Sequence, residues 1–432
     1  MTTILRSLVT LTKPGYRMTE IGEIPEEWKI DKVSNLQDSM YYGITAKSTE
    51  QRSDLRFLRT TDISNFNFDP NDLHYCEITG TKPDLSKYHL KQGDIIVARA
   101  GTVGISVLVK RDLLNTIFGS YLIKIAFNKD LIYANFVHYY FQSNIYWNKL
   151  RAAQGSTIKN ISLPFLKALF LPVPPLQEQK KIAAILSTAD ETIQKVDEEI
   201  TLTEKLKKGL MQTLLTKGIG HTKFKMTEIG EIPEEWGIKT LSNSCSRITD
   251  GSHYSPQEVK GGTRMIATVF NLGNNSVITD TCKRISDKDY ELLVKNGCKP
   301  DKGDVLFSKD GTVGICFPYF QEDNLVLLSS IAILKPDNDL NSAFLSCFLK
   351  SENGMRQIIG LKTGSALKRI TLKNLKLVKI PIPSYEEQQK VATILTTVDH
   401  KLELLRNKRT HLEELKKGMM EDLLTGRVRV KI

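Results

Sequence analysis

Cations, hydroxyls and amides clustered beside glycine are the residues of this chain best suited to chemistry, and the chemistry they suit is recognition of a polyanion. Tyr41-Tyr42-Gly43-Ile44-Thr45-Ala46-Lys47 sets two phenols, a hydroxyl and an ammonium around a flexible glycine. Arg59-Thr60-Thr61-Asp62 places a guanidinium, which can pair with guanine through two hydrogen bonds, beside small hydrogen-bonding groups. Asp250-Gly251-Ser252-His253-Tyr254 and the stretch from Thr268 to Asn271 offer comparable groups further along. Arg99 and Lys309 each stand just before a Gly-Thr turn, with Thr102 and Thr312 in the turns themselves. Lys159, and Lys368 with Arg369, lie in the loops GSTIKN and GSALKR. Such side chains contact phosphates or base edges, although any one of them alone reads equally well as a solvated loop residue.

Catalytic signatures fail one by one. No GxxxxGK[ST] phosphate loop occurs, and GTVG is too short for a nucleotide fingerprint, so it reads as a tight turn. Pro300–Lys309 has the outline of a nuclease PD…(D/E)xK site, but Phe307 stands where a metal-binding carboxylate belongs. The seven histidines show no metal-ligand spacing. His253 has the chemistry of a base but no nucleophile beside it, which makes its segment a polar recognition loop. The expectation is a chain without catalytic residues, metal or cofactor.

Bulk properties agree with a polyanionic partner. The 432 residues carry 60 Lys plus Arg against 49 Asp plus Glu, a net charge of +11. Six cysteines, widely spaced and without a CxxC, read as free thiols of a reducing compartment. No apolar run of membrane-spanning length and no signal-peptide pattern appear, so a cytoplasmic protein without a membrane partner is expected.

The elements that must hold these loops are present twice. Met18–Trp28 (MTEIGEIPEEW) returns letter for letter at Met226–Trp236, a shift of 208. Gly93–Ile105 returns as Gly303–Ile315, Gly155–Asp190 as Gly364–Asp399, and Glu204–Leu215 as Glu413–Leu424. A near-constant shift over the whole chain means one duplicated unit, far too long for a solenoid repeat. Agreement is uneven, for Tyr41–Phe68 finds no good counterpart in Ile248–Asn275. Segments that match serve what both copies need; segments that differ, on loops held by a rigid scaffold, are free to bind different things.

Within one copy the globular part is α+β. Asp94–Ala98 and Val305–Ser308 read as strands ended by glycine turns, and Leu131–Arg151 as one aromatic-rich amphipathic helix. Its Phe136, Tyr139, Tyr140 and Tyr146 read as core rather than as base-stacking platforms. Proline then marks a boundary (Pro172, Pro174, Pro175; Pro381, Pro383), and a long helix follows. Its apolar stripe runs through Ile182, Leu186, Ala189, Ile193, Val196 and Ile200. In the second copy it runs through Val391, Leu395, Val398, Leu402 and Leu405, extended by Leu412, Leu415, Met419 and Leu423. A helix of roughly 40 residues is about 60 Å long and cannot hide that stripe on its own small domain. Two copies related by a pseudo-two-fold would pair the helices as an antiparallel coiled coil. The expected layout is an extension over residues 1–17, globular parts over 18–175 and 226–383, helices over 176–217 and 384–426, and a linker over 218–225.

With these residues in hand, the chain resembles the specificity subunit of Type I restriction-modification systems. The resemblance is carried by Ile21–Trp28, Gly93–Ile105 and Gly155–Leu186, and by Ile229–Trp236, Gly303–Ile315 and Gly364–Leu395. Its most specific pieces are Pro174-Pro175-Leu176-Gln177-Glu178-Gln179 and Pro383-Ser384-Tyr385-Glu386-Glu387-Gln388. It implies two target recognition domains, each reading one half of a bipartite asymmetric site on double-stranded DNA. It also implies helices that set the spacing, no enzymatic activity, and assembly with two methyltransferase subunits and, through the complex, restriction subunits. The S-adenosylmethionine and ATP sites would lie on those partners. Competing readings are a stand-alone nuclease or methyltransferase with a divergent site, and a coiled-coil scaffold that never touches DNA.

Overall fold

The computed structural model describes residues 13–78, 84–154, 160–361 and 369–431. It divides into two compact units, Met1–Asp197 with Lys408–Ile432, and Glu198–Asn407. The units run across the boundaries drawn from the sequence, because each takes in part of both long helices, Leu176–Leu214 and Tyr385–Leu424.

In unit 1 an antiparallel sheet has the order Gln37–Tyr42, Leu122–Phe127, Ile95–Ala98, Ser106–Leu108. Unit 2 repeats it as Cys245–Asp250, Ile331–Pro336, Val305–Ser308, Cys316–Pro318. Ile95–Ala98 and Val305–Ser308 are buried at every position, which is why Ile95–Ala98 and Val305–Phe307 read as apolar runs rather than alternating ones. A second sheet in each unit contains a parallel pair: Thr116–Phe118 with Arg56–Leu58, and Leu325–Leu327 with Arg264–Ala267. The copies thus keep one fold through the segments where their sequences part.

The segments where the sequences agree turn out to be joints. Trp28, fully buried, donates its indole N–H to Glu178 over 3.1 Å, and Trp236 donates to Glu387 over 3.0 Å. The neighbouring glutamines tie each long helix to its globular part. Gln179 accepts from the Tyr133 N–H and donates to the Pro174 carbonyl; Gln388 does the same with Asn341 and Pro383. Each joint also takes a third group, 208 positions apart in the two copies. In unit 2 it is His221, at the start of the second copy, 3.0 Å from Glu387. In unit 1 it is Arg429, from the end of the chain, which bonds Glu178 at 2.7 and 3.0 Å. The tail also receives a hydrogen bond from the Tyr16 hydroxyl at the Gly426 carbonyl. Unit 1 is therefore closed by the C-terminal segment at the place where unit 2 is closed by continuous chain.

The aromatic segment forms two helices, Ala134–Tyr140 and Asn144–Gln154, rather than the single expected one. Ser143 breaks it: its hydroxyl donates to the Tyr140 carbonyl and accepts from the Tyr146 N–H, ending one helix and starting the next. Ser351 does the same between Ser342–Lys350 and Glu352–Gly360. Phe136, Tyr139, Tyr140 and Tyr146 are core, as expected. Tyr146 adds a function to its packing, for its hydroxyl donates to the Gly104 carbonyl and holds the GTVG turn from behind.

Inside unit 1 the two long helices run antiparallel, since Asp190 pairs with Lys416 (2.6 Å) and Asp197 with Arg409 (2.5 Å). Inside unit 2, Glu199 meets Lys401 and Lys207 meets Asp399, again in opposite order. One expected seam position is corrected. Leu415 is 58% exposed, and Lys416 lies against the core instead, its ammonium 5.5 Å from the Tyr139 ring centre. A long aliphatic stem ending in a charge satisfies both the seam and Asp190. All six cysteines are free and buried.

His138 gives unit 1 an acid limit. It is buried, and its Nε2 lies 2.8 Å from the Gln142 amide nitrogen, so this nitrogen accepts and the ring is neutral. Burial pushes its pKa down to about 4. A folded value below the unfolded one gives stability that is complete above about pH 6.5 and falls as the pH drops toward 4, by up to roughly 3 kcal/mol. Urea unfolding of His138→Gln across that range should show a flatter pH dependence than the parent.

Candidate nucleic-acid interface

The candidate loops gather at one end of the main sheet of each unit, where its strands finish, and glycine is the reason. Gly43 and Gly251 follow the last residue of the first sheet strand, where the chain crosses to the second sheet. The bridges Ile44 to Gly119 and Ser252 to Leu328 mark the crossing. A Cβ on Gly43 would overlap the carbonyl oxygens of Phe118 and Gly119, and one on Gly251 would overlap that of Leu327. Only glycine lets the strand pass this close. The crossing aligns the two divergent loops residue by residue: Tyr42 with Asp250, Ile44 with Ser252, Thr45 with His253. Thr45, Lys47, His253 and Tyr254 are exposed.

The matched cations are built identically from the backbone. The Arg99 N–H donates to Tyr121 and its carbonyl accepts from Ile161; the Lys309 N–H donates to Ser330 and its carbonyl accepts from Ile370. Their side chains then rest on the aligned pair just named. The Arg99 guanidinium sits 4.5 Å from the Tyr42 ring centre, with Nε 3.3 Å from Asn160. The Lys309 ammonium is 3.1 Å from Asp250, whose other neighbour is His253 at 3.5 Å. Two chemistries, cation–π and ion pair, hold one cation at one place. The Tyr42 hydroxyl accepts from the Leu163 N–H, while the Tyr41 ring faces Lys87.

Beside each cation the Gly-Thr turn leaves Thr102 or Thr312 exposed, with Gly101 and Gly104, or Gly311 and Gly314, in the left-handed region. Gly101 lies in contact range of Thr60, and Gly311 of Val269. Those contacts bring in a second matched device that sequence comparison missed. Thr60–Asp62 and Val269–Asn271 are both 3-10 turns, and the second is started by a capping box whose reach-back half the first shares. In each, a side-chain oxygen three residues on accepts from the capping residue's N–H: Asp62 from Arg59, Asn271 from Thr268, both at 2.8 Å. The available signal was a carboxylate or amide at position four of each stretch, which sequence alignment scores as a mismatch.

Several of the expected readers have partners within the fold. The Arg59 guanidinium holds Asp62 at 2.6 and 3.0 Å and also meets His74, and so shapes its turn. Asn271 is buried and gives its amide to Thr281; Ser252 is buried and gives its hydroxyl to the Tyr254 carbonyl. Their polar groups are satisfied within the fold, as buried polar groups generally are. Arg369 is exposed. Lys159 and Lys368 lie outside the described residues. Two exposed aromatics carry no signal in the sequence that sets them apart: Tyr121, whose backbone carries Arg99, and Phe270, in the second turn. Among the described residues no cluster of His, Cys, Asp or Glu is arranged to hold a metal, and no helix is long and apolar enough to cross a membrane.

Comparisons with known proteins meet this geometry. The family described as "Type I restriction modification DNA specificity domain" matches residues 16–204 and 233–414, one match per copy. The putative type I restriction enzyme MjaX specificity subunit of Methanocaldococcus jannaschii is 30% identical over 96% of this chain and 97% of its own length. The EcoKI specificity subunit of Escherichia coli is 24% identical, covering 86% of this chain and 82% of its own. In fold, the chain is similar to the crystal structure of an S subunit from M. genitalium. That likeness has a TM-score of 0.57 at 16% identity over 94% of this chain and 96% of that one. A solved chain of a type I R-M system gives 0.56 at 18% identity, covering 94% and 99%. With two copies of one domain, one matched platform in each and a family match across most of its length, the chain belongs to the specificity subunits of Type I restriction-modification systems.

Proposed function

We propose that the two matched platforms grip DNA backbone while the differing loops around them read bases, so that each unit recognises one half of a bipartite, asymmetric site. The observation that carries this reading is the identical construction of Arg99 and Lys309 beside their Gly-Thr turns, next to loops that share backbone but not side chains. Phosphates are the same at every site and suit matched cations; base edges differ and suit the unmatched tips. The long helices, of 39 and 40 residues, set the spacing between half-sites and dock two methyltransferase subunits, with restriction subunits joining through the complex. Methyl transfer and cleavage belong to those partners, and this chain supplies recognition.

Co-expression with the partner methyltransferase, followed by long-read detection of methylated adenines, tests the reading. One asymmetric two-part motif is expected. Methylation without sequence preference, or activity in this chain purified alone, would favour the enzyme reading. Arg99→Ala and Lys309→Ala should each weaken binding alike on every sequence and reduce the salt slope by about one. A change of motif instead would make these residues readers.

A further inference from the structure

Phe270 is the most exposed large apolar side chain among the described residues, at 89%. Its neighbours Val269 and Asn271 are both buried, so the exposure is not that of a loose loop. The turn beneath it is fixed from four directions. Asn271 accepts from the Thr268 N–H and donates to Thr281; the Phe270 N–H reaches the Thr268 hydroxyl at 3.3 Å; the Val269 N–H reaches the Ser330 hydroxyl at 3.2 Å. A Cβ added at Gly311 would come to 3.5 Å from the Val269 side chain, so the turn that carries Phe270 lies beside the Gly311-Thr312 turn. In unit 1 the same turn carries Thr61 at this position, also exposed. An apolar ring held rigidly in water has little folding role. One carried on a turn beside the Gly-Thr turn proposed above to grip phosphate, at the point where the two copies differ, has the position of a reader.

We propose that Phe270 is a specificity-determining residue that makes apolar contact with bases of the half-site read by unit 2, and that Thr61 holds the corresponding place in unit 1. This rests on the DNA-reading function proposed above. The ring offers two contacts of one chemistry: a face to stack on an unstacked base step, or an edge against the thymine methyl group.

The test uses the complex with its methyltransferase partner, on duplexes carrying the motif found by methylation mapping. Phe270→Ala should weaken cognate binding by about 5- to 100-fold and relax the motif in one half only. Phe270→Leu should restore most binding if the contact is with a methyl group and little if it is stacking. Uracil in place of thymine should mimic the loss in the first case, and 2-aminopurine fluorescence should rise on binding in the second. Either pattern places the ring on bases. Phe270→Ala with unchanged motif and unchanged cognate affinity overturns the proposal while leaving the function intact. A parent complex that yields no motif overturns the function itself.

Discussion

Gly43→Ala should abolish recognition of one half-site and leave the other readable. The added methyl group would meet main-chain carbonyls of Phe118 and Gly119 rather than the end of a flexible side chain, so no rotamer change relieves it. Forced overlap of this kind costs about 1–3 kcal/mol and occasionally more, and a clash with main chain belongs at the upper end. The crossing between sheets would have to move, carrying Thr45 and Lys47 away from the Arg99 platform. Gly251→Ala should do the same to His253 and Tyr254 in unit 2. Methylation mapping of the two variants should therefore return motifs degenerate in opposite halves, with a lowered unfolding midpoint for the altered unit. If either variant keeps its full motif, the crossing does not position the reading loops.

Removing the chain after Thr425 should destabilise unit 1 and spare unit 2. Without Arg429 the buried Glu178 keeps only the Trp28 indole, and Tyr16 loses its acceptor on Gly426. Breaking a buried ion pair from one side costs several kcal/mol, and because Arg429 is itself a third exposed, roughly 2–3 kcal/mol is expected here. Arg429→Ala should reproduce most of the effect. Hydrogen exchange would locate it: protection should fall around Trp28 and the Tyr16–Thr19 ribbon but not around Trp236, where His221 is held by continuous chain. Equal loss in both units would mean that the tail does not act through this joint.

Most of the architecture is legible in the amino-acid sequence, because duplication lets a chain be compared with itself. The strands, the glycine turns, both long helices and the aromatic core follow from periodicity and from residues that tolerate no substitute. What escapes such reading is geometry created by pairs. Ser143 looks like any polar residue on an amphipathic helix until its hydroxyl is seen to end one helix and begin another. Nothing in the spacing of Arg59 and Asp62 announces that the two pair at 2.6 Å and fix the turn between them. Leu415 fits a heptad, but Lys416 can satisfy a neighbouring carboxylate as well as the seam, and it takes the inner place. The aligned turns at Asp62 and Asn271 stay hidden because a carboxylate and an amide do one hydrogen-bonding task with different letters.

The joints around Trp28 and Trp236 also bear on how such a protein changes over generations. Eleven residues recur without alteration at the entrance to each copy, and the tryptophan that ends each run is tied to the long helix of its own unit. A gene segment exchanged between two such entrances would bring in a new set of loops and find every docking surface already in place. Inheritance can then reshuffle halves of a specificity without redesigning a protein, and a host could acquire a new restriction barrier through a single crossover.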